Sequence, residues 1–189
     1  MRHSFGASIA AAALALVFWA APARAREVEG IVMPDQVEVA GKTLALNGVG
    51  LRTKLFVKVY VAGLYLSART RDADAAISAD QPKRIELALL RDLSRDKMES
   101  SLRSGFEDNA GPRLAALRDR LARFAALLRD GKKGDRLILT YEPGRGTTVA
   151  SAHGKPATIE GKDFADALFS VWLGPHPVDS GLKQALLGR

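Results

Sequence analysis

The sequence predicts an α+β fold in which helices cover one face of a large antiparallel sheet. Two observations lead to this fold class. Segments with the two-residue alternation of strands and segments with the three- and four-residue spacing of helices occur in separate blocks along the chain, as is typical of α+β proteins. In addition, no repeat or linker divides residues 26–189, whose number suits a single domain with one core.

The first 25 residues have the features of a secretory signal peptide. Arg2 and His3 give a basic start, residues 10–21 are apolar, and Ala23 and Ala25 place small side chains where signal peptidase cleaves. We expect cleavage after Ala25 and a periplasmic protein. The alternative is an uncleaved membrane anchor, but the apolar run is shorter than the ~20 residues that a spanning helix needs.

Composition and charge restrict the functions that the chain can have. It contains no cysteine, which excludes disulfides, thiolate catalysis and cysteine metal sites. The leader holds two of the 28 basic residues and none of the 21 acidic ones, so residues 26–189 keep a net charge of +5. A positive balance favours anionic ligands or contact with a membrane surface. We expect no nucleic-acid partner for an exported protein, and oligomeric state is left open.

Strand-forming residues from 37 to 66 contain the segment on which the functional prediction rests. Residues 40–42 form a predicted tight turn and residues 44–46 a short apolar strand. The run at 47–54, Asn-Gly-Val-Gly-Leu-Arg-Thr-Lys, is interpreted as a glycine-loosened turn. It leads into a predicted strand over residues 55–66.

Side chains of the strand at 55–66 are expected to alternate between two faces. One face is predicted to belong to the core, and it consists of Leu55, Val57, Val59 and Val61. The other face is predicted to form the wall of a ligand cleft, since it combines aromatic, cationic and hydroxyl groups, and it consists of Phe56, Lys58 and Tyr60.

The later elements follow from apolar spacing and capping residues. Ser94 is a predicted N-cap, because the residues after it place Met98, Leu102 and Phe106 at intervals of four. The predicted helices cover residues 72–79, 94–109, 114–128, 163–173 and 179–187. The predicted strands cover residues 83–92, 136–141 and 147–151, and a short segment that ends near Ile159.

Four residues are candidates for binding an anion. Arg52 carries a permanent charge on a planar fork of donors that suits a carboxylate, a phosphate or a developing oxyanion. Tyr60 supplies either a hydroxyl to the same anion or simple packing, and Lys58 lies two residues before it. Arg91 is either a further ligand or a surface arginine beside Asp92.

Other chemistries have little support in this sequence. His153 and His176 lie in turns rich in proline and glycine, without the spacing of metal ligands, so we expect no metal site. Ser151 lacks the Gly-x-Ser-x-Gly elbow of a nucleophilic serine. Gly48-x-Gly50 lacks the third glycine and the following helix of a dinucleotide site. We therefore expect no cofactor.

Three segments together resemble the chalcone isomerase-like superfamily, in particular its bacterial exported branch. They are Gly-x-Gly-x-Arg at 48–52 with Lys-Val-Tyr-Val-Ala-Gly-Leu-Tyr-Leu at 58–66, Leu-Arg-Asp-Leu-Ser-x-x-Lys at 90–97, and Leu-Gly-Pro-His-Pro-Val-Asp at 173–179. The resemblance covers nearly all of residues 26–189. It implies an open-faced β-sandwich, with a large antiparallel sheet, a layer of helices on one face and a ligand cleft between them.

The same resemblance implies a cleft that binds rather than one that catalyses. Plant chalcone isomerases hold a phenolate with an arginine that Arg52 matches. Their other functional positions differ here, because the strand threonine aligns with Tyr60, the helix-start tyrosine and asparagine fall near Leu93 and Ser100, and the late threonine falls near Val171. Non-catalytic members bind fatty acids through an arginine and a tyrosine.

We therefore predict an exported, non-catalytic binder of a fatty acid or a similar apolar anion, with Arg52, Tyr60, Lys58 and Arg91 as ligand-binding residues. One alternative is an isomerase or lyase of the chalcone isomerase type that uses Arg52 to hold an oxyanion. Another is a structural or interaction protein whose cleft is closed by four aromatic side chains, namely Phe56, Tyr60, Phe106 and Trp172.

Overall fold

The computed structural model describes residues 25–189. The signal peptide that the sequence predicts lies outside this range except for its last residue, Ala25. The strands within the range are β1 (Ala25–Val28), β2 (Ile31–Pro34), β3 (Gln36–Val39), β4 (Lys42–Lys54), β5 (Val57–Leu66), β6 (Lys83–Leu89), β7 (Arg136–Glu142), β8 (Gly146–Ser151) and β9 (Ala157–Ile159). The α-helices are α1 (Ala73–Ser78), α2 (Arg95–Ala110), α3 (Leu114–Leu127), α4 (Lys162–Leu173) and α5 (Ser180–Leu186), with a 3-10 turn at Gly111–Arg113.

Seven strands form one antiparallel sheet in the order β3-β4-β5-β6-β7-β8-β9. Every hydrogen-bonded pair joins strands that are consecutive along the chain, so the sheet is a meander interrupted by helices after β5 and β6. The remaining strands, β1 and β2, form a separate hairpin. This architecture confirms the predicted α+β class with helices against an antiparallel sheet.

Apolar side chains form two cores, one on each face of the sheet. The main core lies between the sheet and the helices and includes Leu64, Phe106 and Leu168. A smaller core on the opposite face joins Met33 of β2 to Tyr65 of β5. The hairpin β1–β2 therefore covers part of the second face, which the sequence analysis did not anticipate. None of the helices within residues 25–189 is long and apolar enough to cross a membrane.

Capping residues mark the helix boundaries as the sequence suggested. The Ser94 hydroxyl accepts a hydrogen bond from the Lys97 amide at 3.4 Å and begins α2. Asp72 accepts from two amides of the first turn of α1, and Asp179 accepts from the Leu182 amide of α5 at 2.9 Å. The helices expected at 72–79, 94–109, 114–128, 163–173 and 179–187 are thus present within a few residues of their predicted bounds.

The segment expected to be a turn is instead the second half of strand β4. Residues 48–54 pair with β5 after an irregularity at Asn47, and the chain reverses at Leu55 and Phe56. Both turn residues have positive φ angles, of 47° and 65°, and both are exposed. The expectation that Leu55 begins a strand and belongs to the core is therefore wrong.

Close packing of α5 explains the two glycines of this strand. A Cβ atom built at Gly48 would lie 2.1 Å from the Ala185 carbonyl oxygen, and one at Gly50 would lie 2.6 Å from the Ala185 Cβ. Only glycine lets the helix approach β4 so closely. The preceding Asn47 fixes the same contact, because its side-chain amide donates to the Leu186 carbonyl at 2.7 Å.

A β-bulge at Val59 changes the faces of β5. Arg52 pairs with Tyr60 and Thr53 with Lys58, so Val59 is an extra residue in the ladder. Val59 and Tyr60 both join the core that faces the helices, whereas Lys58 pairs with Glu29 of the β1–β2 hairpin at 2.6 Å. The expectation that Phe56, Lys58 and Tyr60 share one cleft wall is wrong, because the bulge interrupts the two-residue alternation.

Lys83, the first residue of β6, is buried beneath the end of α1. Its ammonium group donates to three carbonyl oxygens, those of Ala76 and Ala79 at 3.2 Å each and that of Ile77. These oxygens form the negative end of the helix, which the cation stabilises. Burial lowers the pKa of Lys83 to about 8, although the neighbouring Asp166 acts in the opposite direction.

Lys83 is expected to make the protein more stable as the pH rises from about 8 towards 10.5, its ordinary pKa. In this window the unfolded chain binds a proton that the folded protein has lost, so the free energy of unfolding increases with pH. The gain across the window is on the order of 3 kcal/mol, and below it the contribution is constant. Urea denaturation of the protein and of Lys83→Met at several pH values measures it, since other titrating groups are common to both. Parallel stability curves would contradict this role.

Candidate ligand-binding cleft

A cleft with a volume of about 910 Å³ opens between α2 and strands β4, β5 and β6. This volume lies in the range of small-molecule sites. Its floor is apolar and buried, and consists of Val59, Leu87, Leu89, Met98, Leu102 and Leu137. Its rim is polar and exposed, and includes Lys54, Arg91, Asp92, Asp96, Lys97, Ser100, Ser104, Asp108 and His176. An apolar floor below a polar rim suits a ligand with a long apolar part.

Arg52 is the one charged residue of the described cleft lining that is not exposed. Its Nη1 donates to the Ser101 hydroxyl of α2 at 3.1 Å, and its guanidinium carbon lies 5.5 Å from the centre of the Tyr60 ring. Within residues 25–189 its buried Nε has no hydrogen-bond partner. Nor does any carboxylate of that range form an ion pair with it. The arginine therefore brings a permanent positive charge to the cleft wall and has one buried donor without a partner in that range.

Tyr60 lies across the ladder from Arg52 and is 4% exposed. Its hydroxyl oxygen accepts a hydrogen bond from Nε1 of Trp172 at 2.9 Å. Burial raises the pKa of Tyr60, and Arg52 lowers it only in part, so the hydroxyl keeps its proton. Among the hydrogen bonds of the described residues this hydroxyl donates none, which leaves its proton available to a ligand oxygen beside Arg52.

Asp179 acts on Tyr60 electrostatically but makes no hydrogen bond or ion pair with Arg52 or Tyr60 among the described contacts. Asp179, the N-cap of α5, accepts from the Leu182 amide at 2.9 Å and from the Thr53 amide at 3.4 Å. Its two oxygens are thus used by backbone groups of α5 and β4. The position next to Arg52 and Tyr60 remains open to an anion from outside the protein.

Arg91 lies on the rim of the cleft, just beyond β6, and is exposed. The neighbouring Asp92 pairs with Lys132 at 3.0 Å and accepts from the Lys133 amide, so it is not the partner of Arg91. Asp96 also lies on the rim. Arg91 is positioned to attract an anion to the mouth, although water screens its charge there.

Lys58, by contrast, does not line the cleft. Its ammonium group pairs with Glu29 on the other side of the sheet. The structure therefore brings Arg52, Tyr60 and Arg91 to one cavity and places Lys58 outside it.

Two partners of the site were not identified from the sequence. Ser101 binds the guanidinium of Arg52, and Trp172 binds the hydroxyl of Tyr60. A sequence signal for Ser101 exists, because it lies on the same side of α2 as the buried Met98 and Leu102. Trp172 gives no such signal, since its place at the site depends on how α4 packs against the sheet.

Aromatic side chains do not close the cleft. Phe56 is 100% exposed at the β4–β5 turn, and Phe106 is buried in the main core. Tyr60 lines the cavity without filling it, and Trp172 is buried outside the lining, where it donates to the Tyr60 hydroxyl. The reading as a protein with a closed cleft is therefore wrong. Within the described range, no cluster of three or more histidine, cysteine or acidic residues could hold a metal ion.

Comparisons with known proteins give a family and a fold. A family model described as chalcone isomerase-like matches residues 25–188. No curated protein matches the sequence significantly. The crystal structure of a fatty-acid binding protein of Arabidopsis thaliana is similar, with a TM-score of 0.67 and 18% sequence identity over 87% of this chain and 96% of the plant chain.

Proposed function

This chain belongs to the chalcone isomerase-like family, and we propose that it is a non-catalytic binding protein for a fatty acid or a similar apolar anion. The observation that carries the proposal is the pair of unused donors on two residues of the cleft wall, the buried Nε of Arg52 and the hydroxyl proton of Tyr60. A carboxylate accepts from both at once, and such charge-assisted hydrogen bonds are strong where water is excluded.

The rest of the cleft suits an acyl chain. Val59, Leu87 and Met98 are among the buried apolar side chains of its floor. An acyl chain along this floor loses its contact with water, which favours binding in proportion to the apolar area buried. The plant protein of similar fold is named for fatty-acid binding, and that name supports a ligand of this class for the present chain.

The composition of the cleft argues against isomerase chemistry. An isomerase must stabilise a developing oxyanion with several positioned donors, and the loss of one can lower the rate about a hundredfold. Leu93 has no polar group for this purpose, and Val171 is buried against α2. Arg52 and Tyr60 supply the two donors that carboxylate binding requires.

We propose further that the protein is exported through a cleaved leader and acts in the periplasm. The basic start, the apolar run and the small residues before position 26 support this location. Detection of a mature N-terminus at Arg26 in a periplasmic extract would test it.

Mass spectrometry of lipids that co-purify with the protein tests the ligand class. We expect a saturated or unsaturated fatty acid, and titration calorimetry with palmitate should show binding. Methyl palmitate is the matched control, because it keeps the chain and removes the charge; it should bind at least about tenfold more weakly, as expected for loss of a charged hydrogen bond. Equal affinity for the two compounds, or no binding of either, would refute the proposal. Turnover of a chalcone that disappears in Arg52→Ala would favour the isomerase instead.

A further inference from the structure

The turn between β4 and β5 exposes large apolar side chains to solvent. It consists of Leu55 and Phe56, which are 83% and 100% exposed, and the next residue, Val57, is 40% exposed. Lys54 pairs with Val57, so the turn has two residues and projects from the end of the hairpin. Within residues 25–189, no other large apolar side chains are as exposed as those of Leu55 and Phe56.

The backbone conformation of the turn does not explain why leucine and phenylalanine occupy positions 55 and 56. Their φ angles of 47° and 65° lie in the left-handed region, where Asn and Gly are preferred in two-residue hairpin turns. A bulky residue in that region is strained. Leu55 and Phe56 are thus unfavourable for the backbone and gain little from burial within the protein. Residues of this kind at a strained position suggest a contact outside the chain.

Two lysines flank the exposed turn, and one of them has no ion-pair partner among the described residues. Lys54 precedes it, is exposed, and forms no ion pair with the described residues. Lys58 follows it and is paired with Glu29, while Asp179 is occupied by backbone amides. The cavity that the turn borders is lined by four basic residues, Arg52, Lys54, Arg91 and Lys97, and by three acidic ones, Asp92, Asp96 and Asp108. The turn and the adjoining mouth therefore combine a small excess of positive charge with apolar surface.

The turn also borders the mouth of the cleft. Lys54, Leu55 and Val57 line the same cavity as Arg52. Phe56 is not part of the lining and points away from the protein. A surface that receives Phe56 would lie directly against the cleft opening.

We propose that the Leu55–Phe56 turn docks the protein on an anionic lipid bilayer. Phe56 and Leu55 insert among the acyl chains near the headgroups, while Lys54 contacts lipid phosphates. Apolar groups beside cations have this affinity for bilayer interfaces. A protein partner is less suited, because a turn of two residues offers far less than the ~800 Å² that each side of a stable interface buries. This role rests on the proposed function. Docking would let a fatty acid pass between the bilayer and the cleft without entering the surrounding water.

Vesicle co-sedimentation tests the docking. We expect binding to vesicles of phosphatidylglycerol and phosphatidylcholine, weaker binding to phosphatidylcholine alone, and a decrease with salt. Phe56→Asn should lower the partition coefficient at least about tenfold through loss of one buried aromatic side chain. Lys54→Gln should lower it about fivefold. The matched control is Val32→Thr, which alters an apolar side chain that is 50% exposed on another hairpin and should change binding little.

Phe56→Asn should fold normally, because asparagine tolerates a positive φ angle better than phenylalanine does. Its melting temperature should be equal to that of the unsubstituted protein or higher. Tryptophan fluorescence gives a second measurement: Phe56→Trp should add emission that shifts to the blue on anionic vesicles.

Docking is refuted if Phe56→Asn weakens vesicle binding no more than Val32→Thr does, or if Phe56→Asn dissociates a dimer without affecting vesicle binding. Palmitate affinity without vesicles should be unchanged in Phe56→Asn. If the unsubstituted protein binds palmitate but not anionic vesicles, this inference alone is refuted; if it binds vesicles but not palmitate, the proposed ligand is refuted.

Discussion

Arg52→Met is expected to lower the affinity for palmitate by about 10- to 100-fold. The methionine keeps much of the apolar stem but removes the charge and the Nε donor, and hydrogen bonds to charged groups contribute about 1.5–3 kcal/mol each. The Nε of Arg52 has no partner within residues 25–189, so its loss leaves no protein acceptor unpaired there. Titration calorimetry measures the affinity.

Arg52→Met should not lose stability, although it loses affinity for palmitate. A half-buried guanidinium without a carboxylate partner carries a desolvation penalty that no ion pair offsets. Arg52→Met loses the bond to Ser101 at 3.1 Å and the cation–π contact with Tyr60, which the end of the desolvation penalty offsets, so the melting temperature should stay the same or rise. Loss of binding without loss of stability is the signature of a residue that serves a ligand.

Arg103→Met is the control for this substitution. Arg103 lies on α2, outside the cleft lining, and pairs with Glu99 at 2.9 Å. Its replacement changes the net charge of the protein by the same amount and should leave palmitate affinity within about twofold, because exposed ion pairs contribute little. If both variants bind equally well, Arg52 does not hold the ligand. If both lose affinity equally, only the overall charge matters.

Gly48→Ala is expected to destabilise the protein by about 3 kcal/mol or more. The new Cβ would lie 2.1 Å from the Ala185 carbonyl oxygen and 2.5 Å from that of Leu186, so strand β4 and helix α5 must separate. Insertion of one carbon into a packed interior costs about 1–3 kcal/mol, and more where the obstacle is backbone. The melting temperature should fall by roughly 6–12 °C for a domain of this size. Urea denaturation gives the free energy of unfolding.

Gly181→Ala provides the comparison within the same helix. Gly181 lies in the first turn of α5 and is exposed, and the nearest atom to its added Cβ is an Asp179 oxygen at 3.3 Å. Alanine is the better helix former, so the net change should stay within about 1 kcal/mol. A small effect of Gly48→Ala would mean that α5 does not pack closely on β4.

Local sequence signals were sufficient for most of the secondary structure. Ser94 and Asp72 begin helices because their side chains accept hydrogen bonds from amides of the first turn. The spacing of Met98, Leu102 and Phe106 gave the buried face of α2. Such features depend on residues within one or two turns of each other. The same applies to the antiparallel sheet, which follows from strands that pair with their neighbours along the chain.

Contacts between distant residues decided the hairpin of β4 and β5. Gly48 and Gly50 are turn formers by local preference, but α5, more than 130 residues later, fixes them in a strand. The reversal then falls at Leu55 and Phe56, against local turn preferences. The bulge at Val59 likewise depends on pairing with β4, and it moved Lys58 away from the cleft.

The sequence by itself determined the fold class and the most important cation of the candidate site. Arg52 and Tyr60 could be selected because a permanent charge and a hydroxyl next to apolar strand residues are visible in the chain alone. Only the tertiary structure decided that these two residues share a cavity, that Lys58 does not, and that Nε of Arg52 lacks a partner among the described residues. The physical reason is that residue type sets the charge and hydrogen-bonding groups of a side chain, whereas the packing of β4, β5, α2 and α4 sets which of those groups remain unsatisfied.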